Sequence, residues 1–219
     1  MSAEKNLLTV KDLVVEYPGK GMFAKPFRVL HGVSVDIAEG ETVGLVGESG
    51  SGKTTIGRAV LGLAPVTEGT ITLEGNDISH ATRKERQKLS RDLQVVFQDP
   101  YTSLNPSMTV GDILSEPLGI QGITGPDARK RVKELLDRVH LPVDAMDRLP
   151  REFSGGQRQR VAIARALALR PKLIVCDEPV SALDLSTQAR VLDLFLEIQQ
   201  LTGVSYLFIS HDLDVVRHV

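Results

Sequence analysis

Gly47-Glu48-Ser49-Gly50-Ser51-Gly52-Lys53-Thr54 is the stretch that decides the fold of this chain. It matches the phosphate-binding Walker A pattern, whose chemistry requires a strand before it and a helix behind it. Thr42-Val43-Gly44-Leu45-Val46 reads as a buried strand, and residues 54–63 read as a helix. Glycines at 47, 50 and 52 let the backbone turn tightly and approach a ligand. Successive N–H groups then face one concavity at the positive end of the helix, where phosphate oxygens can accept from them. Lys53 is placed to reach the β- and γ-phosphates, and the Thr54 hydroxyl to hold Mg²⁺, with Thr55 next in the same loop. The ligand this implies is a nucleoside triphosphate.

Composition sets the frame around that loop. The 219 residues suffice for one α/β domain with a real core. Net charge is -2, so no global basic field favours nucleic acid. The single cysteine, Cys176, excludes an intrachain disulfide and a multi-cysteine zinc site. Its apolar neighbours Leu173-Ile174-Val175 make it a buried, inert thiol. The first residues, Met1-Ser2-Ala3-Glu4-Lys5-Asn6, lack the basic and apolar regions of a secretory leader. No apolar run approaches the roughly 18 residues of a membrane span. The expectation is a cytosolic chain, or one held at a membrane by a partner.

Residues 8–17 and 29–37 alternate in the manner of half-buried strands, with a loop over 19–26 between them. Residues 69–73 and 93–97 are further β-like runs, and 82–90 is helix-compatible. After Gln98 the character changes. Pro100, Pro106, Pro117, Pro126, Pro142 and Pro150 punctuate a region of helical periodicity. Val132, Leu135, Leu136 and Val139 fall on one helical face, with Arg129, Lys130, Lys133, Asp137 and Arg138 around the other. Residues from about 100 to about 155 therefore read as a helical insertion. Beyond it come an Ala-rich helix over 161–169, a strand over 173–176, a helix over 187–201 and a strand over 206–209. Strands alternating with helices imply a parallel sheet with ligands at strand C-termini.

Two further stretches carry chemistry. Strand 173–176 ends in Asp177-Glu178, and a strand beside the Walker strand would deliver Asp177 to Mg²⁺. Glu178 could then hold the attacking water as general base. Ser154 and Gln157 have the spacing of a capping box at a helix start. Capping does not explain Gly155 and Gly156, since glycine weakens a helix. They make sense if an anion must approach the exposed N–H groups.

Ser154-Gly155-Gly156-Gln157 resembles the signature motif of ATP-binding cassette (ABC) ATPases, and other family elements follow in order. Gln98 resembles the Q-loop glutamine, also a metal-side residue. Ser181-Ala182-Leu183-Asp184 resembles the D-loop, which assigns Asp184 to the nucleotide site. His211 resembles the H-loop histidine, and Tyr17 the aromatic that stacks on adenine. Alone, Tyr17 reads as a strand-end packing residue and Gln98 and His211 as ordinary polar groups; their joint order promotes them. The resemblance implies an α/β P-loop NTPase with a parallel sheet, an N-terminal antiparallel β-subdomain and a helical insertion subdomain, all one domain over 1–219. It implies ATP and Mg²⁺ as ligands, with Lys53, Gln98, Glu178 and His211 catalytic.

Gln98-Asp99-Pro100-Tyr101-Thr102-Ser103-Leu104-Asn105-Pro106 is similar to ATPase subunits of oligopeptide, dipeptide and nickel importers. The implied partners are a second ABC ATPase, transmembrane permease subunits and, indirectly, a solute-binding protein, with no nucleic acid. The implied place is the cytoplasmic face of the cell membrane. Two other readings stay open: an ABC-type ATPase of DNA repair or chromosome organisation, and a small P-loop kinase. Against the first, the stretch between Walker A and the signature has neither heptads nor cysteines. Against the second stands the signature serine. Residues 212–219 read as an opening helix without a C-terminal cap, so a C-terminally truncated chain is expected.

Overall fold

The computed structural model describes residues 6–19 and 25–219. The loop expected over 19–26 lies mostly outside the described residues, as does most of the N-terminal stretch.

Two sheets form the body. Strands β1 (Asn6–Tyr17), β2 (Phe27–Ala38), β4 (Glu68–Leu73) and β5 (Asn76–Asp77) make an antiparallel sheet in the order β2-β1-β4-β5. Strands β3 (Thr42–Val46), β6 (Leu93–Val96), β7 (Leu173–Asp177) and β8 (Ser205–Ser210) make a parallel sheet in the order β3-β8-β7-β6. Helix α1 (Lys53–Leu61) follows the Walker loop, and α2 (Arg83–Leu89) opens on a Thr82–Glu85 capping box.

The insertion expected over about 100–155 consists of α3 (Pro100–Ser103), α4 (Val110–Ile120), α5 (Gly125–Arg138) and 3-10 turns at Val143–Asp147 and Pro150–Glu152. Its prolines mostly open elements: Pro100, Pro126 and Pro150 sit in first turns, where the missing N–H costs nothing. Pro117 instead lies inside α4 and does not end it. Val132, Leu135, Leu136 and Val139 are buried as the periodicity requires. Helices α6 (Gly155–Ala166), α7 (Leu185–Thr202) and α8 (Leu213–His218) complete the described chain.

The parallel sheet is buried on both faces at its centre, because alternate residues feed two cores. Val175 and Ile209 join Leu8, Leu13, Ile37, Ile56 and Ile71 on the face toward the antiparallel sheet. Ile174 and Phe208 join Leu114, Leu135, Ile163 and Phe195 on the face toward the insertion and α7. Phe195 meets Tyr206 and Phe208 edge-on at 5.4 and 5.5 Å, the arrangement aromatic quadrupoles favour.

Two expectations need correction. Among the described residues β3 is the edge strand of its sheet and only half-buried, with Val46 39% exposed, so here the apolar Walker run is not a fully buried strand. β8 also lies between β3 and β7, so the Asp177 strand is not beside the Walker strand. Asp177 still reaches the loop because α1 lies across β7 and β8. A Cβ on Gly57 would stand 2.9 Å from Ile209 Cδ1 and 3.0 Å from Val175 Cγ1, closer than packing allows. The missing side chain lets α1 settle onto the sheet.

Gly57→Val should lift α1 and cost about 1–3 kcal/mol, the usual scale of overpacking. Thermal unfolding should shift down and ATP affinity should fall with it. An unchanged Tm would show that something else seats the helix.

Candidate nucleotide site

The Walker loop is built from its glycines upward. Gly52 has φ 95° and is packed under β2, where a Cβ would lie 2.6 Å from Leu30 Cδ2. It caps α1 without a side chain, so the first-turn amides stay free for a ligand. The Lys53 side chain, 8% exposed, folds back into the loop. Its ammonium donates to Gly47 O and Glu48 O at 2.7 Å each and to Ser51 Oγ at 3.2 Å. A cation therefore already stands in the concavity lined by those amides. That arrangement fits a polyphosphate.

Thr54 Oγ1 donates to Asp177 Oδ1 at 2.9 Å, joining the start of α1 to the end of β7. Burial pushes the Asp177 carboxyl above its ordinary 3.8, against the lowering effects of the Thr54 hydroxyl, Arg58 and Lys53. Neighbouring Glu178 adds to the rise. A partly desolvated carboxylate beside a hydroxyl suits a hard divalent cation. Among the described residues no three His, Cys, Asp or Glu side chains gather into a metal cage. Thr54 and Asp177 would thus share a Mg²⁺ ion with phosphate oxygens, as Mg²⁺ commonly requires.

Glu178 occupies a strained turn with φ 48°. Its N–H donates to Ile209 O at 2.9 Å, and its carbonyl accepts from Ser181 N at 3.3 Å and Ser181 Oγ at 3.1 Å. Gln188 Nε2 secures the same turn by donating to Val180 O and Leu183 O at 3.0 and 3.1 Å. The turn aims the carboxylate at two other expected residues. Gln98 Nε2 donates to Glu178 Oε2 at 3.3 Å, and His211 Nδ1 stands 3.0 Å from the same oxygen.

Lys53, Thr54, Asp177, Glu178, Gln98 and His211 therefore form one continuous cluster. The arrangement places Gln98 on the Glu178 carboxylate rather than on the Thr54–Asp177 pair. Three expected elements stand apart. Tyr17 ends β1 opposite Phe27, half-buried against the core, and is not joined to the cluster. Ser154 caps α6: its hydroxyl accepts from Gln157 N at 3.3 Å, and Gln157 Oε1 accepts from Ser154 N at 3.0 Å. Asp184 caps α7, accepting from Thr187 N at 3.0 Å and from the Thr187 and Ser186 hydroxyls at 2.7 Å each. Those hydroxyl bonds, with the Thr187 amide, hold its carboxyl down at about 2.

The signature glycines need a revised account. A Cβ on Gly156 would collide with the Thr187 methyl, so this glycine has a packing reason within the chain. A Cβ on Gly155 would meet only ordinary contacts, to Tyr101 Oη and Leu183 Cδ2 at 3.4 and 3.5 Å. Cys176 is buried with its thiol pushed up by desolvation, as its neighbours implied. Sequence reasoning missed Gln188, Thr187 and Tyr101 as structural partners of the site. Gln188 and Thr187 left no signal beyond a polar helix start.

Residues 30–181 match the ABC transporter family, and the chain belongs to it. It is 51% identical over 217 residues to a putative peptide import ATP-binding protein of Brucella ovis, covering 99% of this chain and 68% of the relative. It is 50% identical over 218 residues to the oligopeptide transport ATP-binding protein OppF of Lactococcus lactis, covering 97% and 68%. Among solved structures it resembles the ATP-binding cassette MJ0796, seen as a dimer in a post-hydrolysis state with ADP and Pi. The TM-score is 0.84 at 32% identity, over 96% of this chain and 90% of that one. It also resembles cbiO1 of Clostridium perfringens, part of the cbiONQ transporter complex, with TM-score 0.82 and 29% identity over 97% and 81%.

The raised Asp177 carboxyl gives a signed expectation. A carboxyl that titrates higher in the folded state weakens folding once ionised, and that penalty lifts as pH falls through its folded value. Asp177→Asn should therefore raise Tm at neutral pH, with the gain shrinking on acidification. Mg²⁺-dependent ATP hydrolysis should fall by about 100-fold or more. A lower Tm at neutral pH would contradict the desolvation account.

Proposed function

We propose that this chain is the ATP-hydrolysing subunit of an ABC importer for peptides. The observation that carries the chemistry is the Glu178 carboxylate, held by Gln98 and His211 beside the Thr54–Asp177 bond. The loop amides and Lys53 bind the triphosphate and offset its charge. Mg²⁺, held by Thr54 and Asp177, would supply further positive charge to the phosphate oxygens. Glu178 accepts the proton of the water that attacks the γ-phosphorus, and ADP departs with the bridging oxygen. Gln98 and His211 orient that carboxylate. Tyr17 stacks on adenine.

Ser154 and its glycines serve the ATP of a second ABC ATPase, so two such domains close head to tail around two nucleotides. Their separation from the Walker cluster within one chain supports this arrangement, as does the dimeric state of the cassette MJ0796. Closure and reopening drive transmembrane permease subunits, which receive peptide from a solute-binding protein. No helix among the described residues is long and apolar enough to cross a membrane, so the permease would hold the chain at the cytoplasmic face. The peptide assignment rests on the 98–106 stretch and on relatives named for peptide import.

Glu178→Gln keeps volume and removes the base. ATP should still bind, hydrolysis should fall by about 100-fold or more, and a long-lived dimer should appear in size-exclusion chromatography with Mg²⁺-ATP. Loss of nucleotide binding itself would make Glu178 a structural residue. For the cargo, cells carrying the intact transporter should take up labelled peptides, and Lys53→Ala should stop that uptake. Uptake unaffected by Lys53→Ala would refute the peptide assignment.

A further inference from the structure

We propose that Tyr101 is a positioning residue, whose ring links the Gln98 segment to the signature helix and so sets where Ser154 stands for the ATP of a second copy. This rests on the reading of Ser154 as a residue acting on the other copy's nucleotide.

The ring is not spent on the core, for Tyr101 is 54% exposed. Its neighbours are Arg158, whose guanidinium carbon stands 4.3 Å from the ring centroid, and Gly155, where a Cβ would lie 3.4 Å from the Tyr101 hydroxyl oxygen. Arg158 is itself anchored: Nε donates to Phe153 O at 3.0 Å and Nη2 to Arg151 O at 3.4 Å. The stack therefore grips the residues on both sides of Ser154.

The other end of the link is equally tight. Asp99 accepts from Tyr101 N at 2.7 Å and from Thr102 Oγ1 at 2.9 Å, which caps the start of α3 just after Gln98. Arg165 of α6 donates to Ser103 O at 2.6 Å and fixes the far end of α3. Gln98, three residues before Tyr101, holds the Glu178 carboxylate. Gln98 on the Glu178 carboxylate thus lies three residues from the ring that stacks on Arg158 near the start of α6. Leu183, in the turn that Gln188 and Ser181 hold, also borders Gly155: a Cβ built there would stand 3.5 Å from Leu183 Cδ2. The start of α6 thus lies between Tyr101 of the Gln98 segment and Leu183 of the turn that begins at Glu178.

A residue acting this way damages the site to which it lends its signature, not the site of its own Walker loop. Mixed dimers separate the two. Lys53→Ala and Ser154→Arg copies, each inactive alone, leave one intact site when mixed: Walker loop from the Ser154→Arg copy, signature from the Lys53→Ala copy. Tyr101→Ala added to the Lys53→Ala copy should lower the mixed ATPase rate by about tenfold, whereas on the Ser154→Arg copy it should change the rate by less than about twofold. Tyr101→Phe in the signature-donating copy should restore the parent rate, since the ring face is kept. Tyr101→Leu, which keeps bulk without the ring's charge distribution, should behave like Tyr101→Ala. Equal losses in the two arms, or the greater loss on the Ser154→Arg copy, would overturn the role of Tyr101 while leaving the composite site intact. An inactive parent mixture would overturn the composite site and this proposal together.

Discussion

The hydrogen bond between Thr54 and Asp177 is the contact on which the site depends. It exists because α1 rests directly on β7 and β8, and α1 rests there because position 57 has no side chain. One residue further along β7, the chain turns through the left-handed conformation at Glu178. Such a conformation costs on the order of 1–3 kcal/mol for a non-glycine residue and persists only where the surroundings impose it. Here the surroundings are the Ile209 carbonyl, two bonds from Ser181 and the Gln188 brace. Strain at Glu178 is thus held by hydrogen bonds to β8 and within the turn, and by the brace from α7.

Two assemblies stand side by side in one chain. The first runs from Lys53 through Thr54, Asp177 and Glu178 to Gln98 and His211, and it is the one proposed to handle the triphosphate. The second is the start of α6, with Ser154 capped by Gln157 and Gly156 packed on Thr187. Asp184 fixes Thr187 through its hydroxyl, so the D-loop cap and the signature share a partner. The local cap and a role toward another copy's phosphate are compatible. Capping uses the Ser154 hydroxyl as acceptor, which leaves its proton free for an oxygen.

Much of this was legible from residue order. The Walker loop, the Asp177-Glu178 strand end and the Ser154–Gln157 box are contiguous patterns of a few residues, and the box survives into structure because its bonds span three residues. The amphipathic face of α5 was legible for the same reason. Strand order was not. Periodicity shows that Thr42–Val46 is a strand, yet it cannot tell an edge from a centre, because β8 arrives from more than 150 residues away. The packing reason for Gly156 was hidden for a related reason: it is a methyl on α7, contributed by another part of the chain. Gln188 looks like any polar residue near a helix start until the turn it braces is seen.

The central claim is that the signature of one copy meets the Walker loop of another. Cysteine cross-linking tests it with little background, since the native Cys176 is fully buried. Ser154→Cys and Ser49→Cys would be placed on separate copies, each also carrying Glu178→Gln, and mixed under mild oxidation. The account predicts a disulfide-linked dimer that forms with Mg²⁺-ATP, requires both cysteine variants, and is lost when Lys53→Ala is added to both copies. A cross-link formed equally without nucleotide, or none formed while ATP is demonstrably bound and the chains are dimeric, would contradict it.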